Sequence, residues 1–125
     1  MLSVGRYGTR DLDRAKGFYD GIAEVLGAKR VTDTPKVIGY RGPEGGLFLV
    51  GIPFEGEATV GNGAQLGFMV NSRTIVDAIH AKALELGGKS EGAPGLRGPE
   101  AYGLYACYFR DLDGNKLNCI TTAKE

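Results

Sequence analysis

Four polar side chains, Arg6, Gln65, Tyr108 and Asn118, have the type and placement to bind a small molecule. Tyr108 and Asn118 stand at mirror positions about residue 113, inside a stretch from Tyr105 to Ile120 where aromatic and branched residues flank an Asp-Gly pair. That pattern is a hairpin signal. Strand alternation then puts Tyr108 and Asn118 on one face and Cys107 and Cys119 on the other. Tyr108 either lines a cleft or packs against a neighbour with its hydroxyl in water. Arg6 lies in an N-terminal strand, where a guanidinium either clamps a carboxylate or phosphate on a ligand, forms a salt bridge within the barrel, or stands at the cleft mouth. Gln65 stands among Ala64, Leu66, Gly67, Phe68 and Met69. A buried amide there demands partners from protein or ligand.

The remaining reactive types are few. His80 is the only histidine and lies beside the apolar face of a helix, so a structural or solvent-exposed role is expected. The two cysteines fit buried free thiols in a reducing compartment better than a cross-strand disulfide. Neither a CxxC nor a Cys/His metal pattern occurs.

These side chains must be positioned by a chain of 125 residues, the length of one domain with a core of its own. Residues Leu2–Thr9 read as a strand. A helix follows, with Asp11 as its cap, Ala15, Phe18, Ile22 and Val25 as its buried face, and Gly27 as its stop. Short strands are expected at Ala28–Thr32, Lys36–Arg41 and Leu47–Ile52, separated by turns at Asp33–Pro35 and Gly42–Gly46. Pro53–Gly63 has no period and reads as a linker. Beyond it come a strand at Gln65–Val70, a helix at Ser72–Leu86 capped by Ser72, and a short strand near Lys89. Gly92–Gly103 then reads as a long loop carrying Arg97, Glu100 and Tyr102, either a lid, a surface excursion or a dimer contact, before the closing hairpin.

The two halves repeat. A constant offset of 61 residues carries Val4 onto Gln65, Asp11 onto Ser72 and Gly27 onto Gly88. The same shift lays Ala15, Phe18, Ile22 and Val25 over Val76, Ile79, Ala83 and Leu86. The expected fold is therefore α+β: residues 1–125 as one domain of two βαβββ modules, about 1–55 and 62–125, forming an open eight-stranded, barrel-like sheet with a central cleft.

Composition excludes several partners. Fifteen basic and fifteen acidic residues cancel, giving no electrostatic case for nucleic acid or an anionic membrane. No apolar run approaches the roughly 18 residues that span a bilayer. The first residues lack the charged lead and apolar core of a signal peptide. A cytoplasmic protein is expected.

The segments Asp11-Leu-Asp-Arg-Ala-Lys-Gly-Phe-Tyr19 and Phe109-Arg-Asp-Leu-Asp-Gly-Asn-Lys-Leu117, in this order and spacing, resemble the glyoxalase/bleomycin-resistance/extradiol dioxygenase (vicinal oxygen chelate) superfamily. The resemblance implies a cleft that, in metal-dependent members, holds one divalent ion through the first and last strands of each module. Here the first-strand positions fall on Val4 and Gln65, and the position that bears Glu in those members falls on Asn118. The last strand of the first half, Leu47–Ile52, holds neither acid nor His. Divalent ions need anionic or imidazole ligands to offset lost hydration, so no metal and no other cofactor is expected. The resemblance also matches Tyr108 to a tyrosine that faces substrate in fosfomycin-resistance relatives. It implies a small-molecule ligand in a cleft lined by Arg6, Gln65, Tyr108 and Asn118, with a homodimer. The alternative is a divalent-metal-dependent lyase, isomerase or dioxygenase with its ion on Gln65, Asn118 and a partner chain.

Overall fold

Local signals set the two helices. Asp11 accepts the Arg14 backbone N–H at 3.0 Å, opening helix α1 (Leu12–Leu26), and Gly27 closes it at φ 74°. Ser72 accepts the Ile75 N–H at 3.2 Å and opens α2 (Arg73–Glu85). The computed structural model describes all 125 residues. Its first half adds strands β1 (Val4–Gly8), β2 (Lys29–Asp33), β3 (Val37–Gly42) and β4 (Gly45–Gly51). The second adds β5 (Leu66–Met69), β6 (Lys89–Leu96), β7 (Tyr105–Arg110) and β8 (Lys116–Thr121).

Each half is a βαβββ module with a four-stranded mixed sheet, ordered β1-β4-β3-β2 in one and β5-β8-β7-β6 in the other. The β1–β4 and β5–β8 pairs are parallel and the remaining pairs antiparallel. The sheets come together where Leu66 of β5 lies over Gly5 of β1, which has no side chain to obstruct it. Tyr7 of β1 also donates its hydroxyl to the Lys116 carbonyl at 2.6 Å.

One strand departs from the sequence reading. In place of a short strand near Lys89 and a loop from Gly92, β6 runs eight residues to Leu96. Its pairing with β7 shifts between Gly92 and Gly95, and Pro94 falls inside that irregularity. Proline is tolerated at such a bulge on an edge strand, where it need not donate to the ladder. The irregular segment is only 97–104, with one 3-10 turn at Glu100–Tyr102.

One core serves both halves. It contains Phe18, Tyr19 and Ile22 of α1, Ile79 and Ala83 of α2, Ile38 and Val50 of the first sheet, and Cys107, Phe109 and Leu117 of the second. Phe18 reaches across to Phe109, with ring centroids 6.4 Å apart. A buried polar clasp reinforces the union. Asp111 and Asp113, in the β7–β8 turn, are 6% and 8% exposed. Asp111 accepts the backbone N–H groups of Asp113 and Asn115 at 2.9 Å, Asn115 Nδ2 at 3.0 Å and the Tyr19 hydroxyl at 2.6 Å. Asp113 accepts the Thr9 hydroxyl at 2.5 Å and the Arg10 N–H at 3.0 Å, and pairs with Arg14 at 3.3 Å. Asn115 donates to the Gly8 carbonyl at 3.0 Å. Buried carboxylates persist only when so satisfied. The Asp-Leu-Asp-Gly-Asn landmark thus joins the modules.

Cys107 and Cys119 are cross-strand partners, free and fully buried. Burial pushes their thiols up to about 11 and about 12, away from thiolate reactivity. His80 is half-buried, bonds Ser90 Oγ at 2.8 Å, and is held below the usual imidazole range by desolvation. No helix is long and apolar enough to cross a membrane.

Candidate functional site

Alternation along each strand gives the sheets two distinct faces. Tyr7, Val50, Phe109 and Leu117 turn toward the helices and are buried; Arg6, Leu49, Tyr108 and Asn118 take the opposite parity and face away. On the second sheet, pairing aligns Gly67, Asn118, Tyr108 and Gly92 in one cross-strand row. Tyr108 and Asn118 are half-buried. A Cβ at Gly67 would collide with Asn118 Oδ1, and one at Gly92 would lie 3.1 Å from Tyr108 Cδ1. The two glycines therefore make room for this polar pair, whose side chains lie over them.

Neither the Tyr108 hydroxyl nor the Asn118 amide forms a hydrogen bond with the rest of the chain, and the Gln65 amide is likewise unbonded. Gln65 is exposed rather than buried, one residue before β5 begins. It borders a groove of about 650 Å³ that runs between residues 60–65 and the side chains of Arg110 and Lys116. Of the four residues singled out in the sequence, Tyr108 and Asn118 are direct partners and Gln65 sits at the end of the same sheet.

Arg6 belongs to the first sheet. Its guanidinium crosses Gly51, donates to the Ile52 carbonyl at 3.1 Å and lies 5.9 Å from the centre of the Phe54 ring. It forms no ion pair, so its charge is uncompensated by any carboxylate.

The row equivalent to the polar one contains Arg6, Leu49, Gly39 and Thr32. Leu49 thus occupies the place in the first module that Asn118 occupies in the second, as Val4 matches Gln65. The four positions where metal-dependent relatives carry ligands hold two aliphatic side chains and two neutral amides. Nowhere in the chain do three His, Cys, Asp or Glu side chains gather. This donor set does not suit a divalent ion.

Two cations stand beside the row; the sequence assigns no role to Lys116 and offers Arg97 only as part of a long loop. Arg97 lies 5.4 Å and Lys116 5.6 Å from the Tyr108 ring centre, within cation–π range. Lys116 shares strand parity with Asn118, a signal present in the sequence. Arg97 reaches Tyr108 only because β6 brings it alongside, and no local pattern announces that.

A family sequence model described as the glyoxalase/bleomycin resistance protein/dioxygenase superfamily matches residues 4–119, and the chain belongs to that family. Its structure is similar to the crystal structure of a glyoxalase/bleomycin resistance protein from Albidiferax ferrireducens T118, at 36% identity and TM-score 0.87, covering 97% of this chain and 98% of that one. A glyoxalase-related enzyme from Fulvimarina pelagi shares the fold at 19% identity and TM-score 0.74, over 97% and 87% of the two chains. A lactoylglutathione lyase from Agrobacterium tumefaciens does so at 21% identity and TM-score 0.69, over 97% and 92%. No curated protein matches.

Proposed function

We propose that this family member binds a small molecule without a metal, on the face of the second sheet that bears Tyr108 and Asn118, with Gln65 at its end and Arg6 contributed from a first-module sheet. The observation that carries the proposal is a half-buried polar row whose hydroxyl and amide are uncommitted, in a chain that offers Val4, Leu49, Gln65 and Asn118 at the positions where metal-dependent relatives would need Glu or His. Neutral donors and acceptors recognise organic ligands through hydrogen bonds, and they do not repay the dehydration of a divalent ion.

A homodimer forms part of the same proposal. Val4 and Met69 are 48% and 70% exposed on the faces turned away from the helices. A second copy laid there would cover both and set the Arg6 face opposite the Tyr108 face.

Elemental analysis after dialysis tests metal independence: stoichiometric nickel, zinc, manganese or iron would overturn it in favour of a metal-dependent lyase, isomerase or dioxygenase. Light scattering on the purified chain tests the dimer. Once a ligand emerges from a thermal-shift panel, Tyr108→Phe and Arg6→Ala are expected to weaken it roughly 3- to 30-fold, the loss of one hydrogen bond or charge contact, with the unfolding midpoint nearly unchanged. Unaltered affinity in both variants would place the ligand elsewhere.

A further inference from the structure

The chain as a whole carries no net charge, yet the face around Tyr108 does. Three cations, Arg97, Lys116 and Arg110, surround the tyrosine and the groove beside it. The Glu91 carboxylate stands among them, paired with Arg110 at 2.7 Å and within the field of Lys116 as well. Arg97 and Lys116 form no ion pair. Arg97 is instead held in place by carbonyls, with Nη2 donating to Ala93 at 2.6 Å and Nη1 to Leu96 at 3.3 Å. Because β7 lies between β6 and β8, the two cations approach Tyr108 from opposite strands. The groove that Lys116 borders has no acidic residue in its wall, and the backbone N–H groups of Asn62 and Gly63, which line it, make no hydrogen bond within the chain.

Resting on the binding face argued above, we propose that the ligand is a small organic oxyanion, a carboxylate or phosphate ester, held between Lys116 and Arg97 over the Tyr108 ring. Neither cation has a salt-bridge partner of its own, and an anion lying close to both gains from each. Bonds to carbonyls fix Arg97 but leave its charge unneutralised, so its field remains available to a ligand. Gly92 and Gly95 make room for the Arg97 guanidinium, since a Cβ at either would come within 3.1 Å of it. The Asn118 amide and the Tyr108 hydroxyl then supply donors to the same ligand oxygens or to a neighbouring polar group.

Three flat probes of similar shape test the charge requirement on the full chain: benzoate, phenyl phosphate and the neutral benzamide. Backbone amide signals of Tyr108, Lys116 and Asn118 are followed by NMR through each titration. At least one anion is expected to bind about tenfold more tightly than benzamide and to weaken as salt is raised. The tighter of the two distinguishes carboxylate from phosphate. Arg97→Gln and Lys116→Gln should each remove most of the anion preference, while Arg97→Lys, which keeps the charge, should restore much of it. Benzamide binding as tightly as both anions at these signals would overturn the oxyanion assignment and leave the binding face intact. An anion preference that survives both Gln variants would overturn it as well. Saturating probes that move none of the three signals would defeat the binding face itself.

Discussion

Asp111 is the residue whose surroundings leave it least room for change. Both of its oxygens are used twice, and every donor belongs to the turn or to Tyr19. Asp111→Asn replaces one acceptor oxygen with an amide that faces other donors, so a loss of about 2–4 kcal/mol is expected in chemical denaturation. Tyr19→Phe deletes a single donor and should cost about 1–3 kcal/mol. The order matters more than the sizes: Tyr19→Phe costing more than Asp111→Asn would mean that ring packing, rather than the clasp, dominates there. At this scale much was legible in the sequence. Caps such as Asp11 and Ser72 act over three residues, and the Asp-Gly turn fixes the register that pairs Tyr108 with Asn118. Gln65 is exposed although its apolar neighbours in sequence suggested burial, because it stands one residue before β5 and outside the ladder.

Elements show where local signals fail. Three glycines and a proline between residues 92 and 98 look like loop, yet β7 offers a ladder that captures most of them as β6. Pairing with the next strand outweighs weak local propensity. The same event carries Arg97 to Tyr108, so a strand expected to be short near Lys89 concealed half of the cationic pair by running on to Leu96. The opposite edge offers a test of how β5 shapes the site. Gly67 has no left-handed backbone to protect and is exposed, but a methyl group there would occupy the place of the Asn118 amide. Gly67→Ala is expected to swing Asn118 out of the row and to weaken a bound anion several-fold while the unfolding midpoint moves by less than about 1 kcal/mol equivalent. Displacement is checked by the Asn118 side-chain amide signals; if they stay in place, the row is more pliable than its spacing implies.

Across the whole molecule, buried acids that hold their protons couple stability to pH. Burial raises the Cys107 thiol to about 11 and the Cys119 thiol to about 12, and it raises the Tyr19 phenol well above its usual value. The folded chain therefore binds more protons than the unfolded chain at alkaline pH. Stability from these groups is fully present below pH about 9 and then falls, by roughly 1.4 kcal/mol per pH unit for each thiol, until the folded values are passed. Tyr19 adds to the decline above about 10. Denaturation midpoints between pH 8 and 10.5 measure the slope, and a Cys107→Ala, Cys119→Ala variant should flatten it. An equal slope in that variant would mean that other groups govern the decline.

The clasp has a consequence for the covalent chain. Tyr19, Thr9 and Gly8 bind the β7–β8 turn directly, and Phe18 packs on Phe109, so neither half has a finished interior alone. The peptide between them, Pro53–Gly63, buries only Ala58, which packs against Gly8. A protease that cuts at the fully exposed Phe54 should leave two fragments that migrate as one particle under native conditions and separate only in denaturant. In that respect the protein is an obligate heterodimer of its own halves, and the linker is a leash that raises their effective concentration without holding them together.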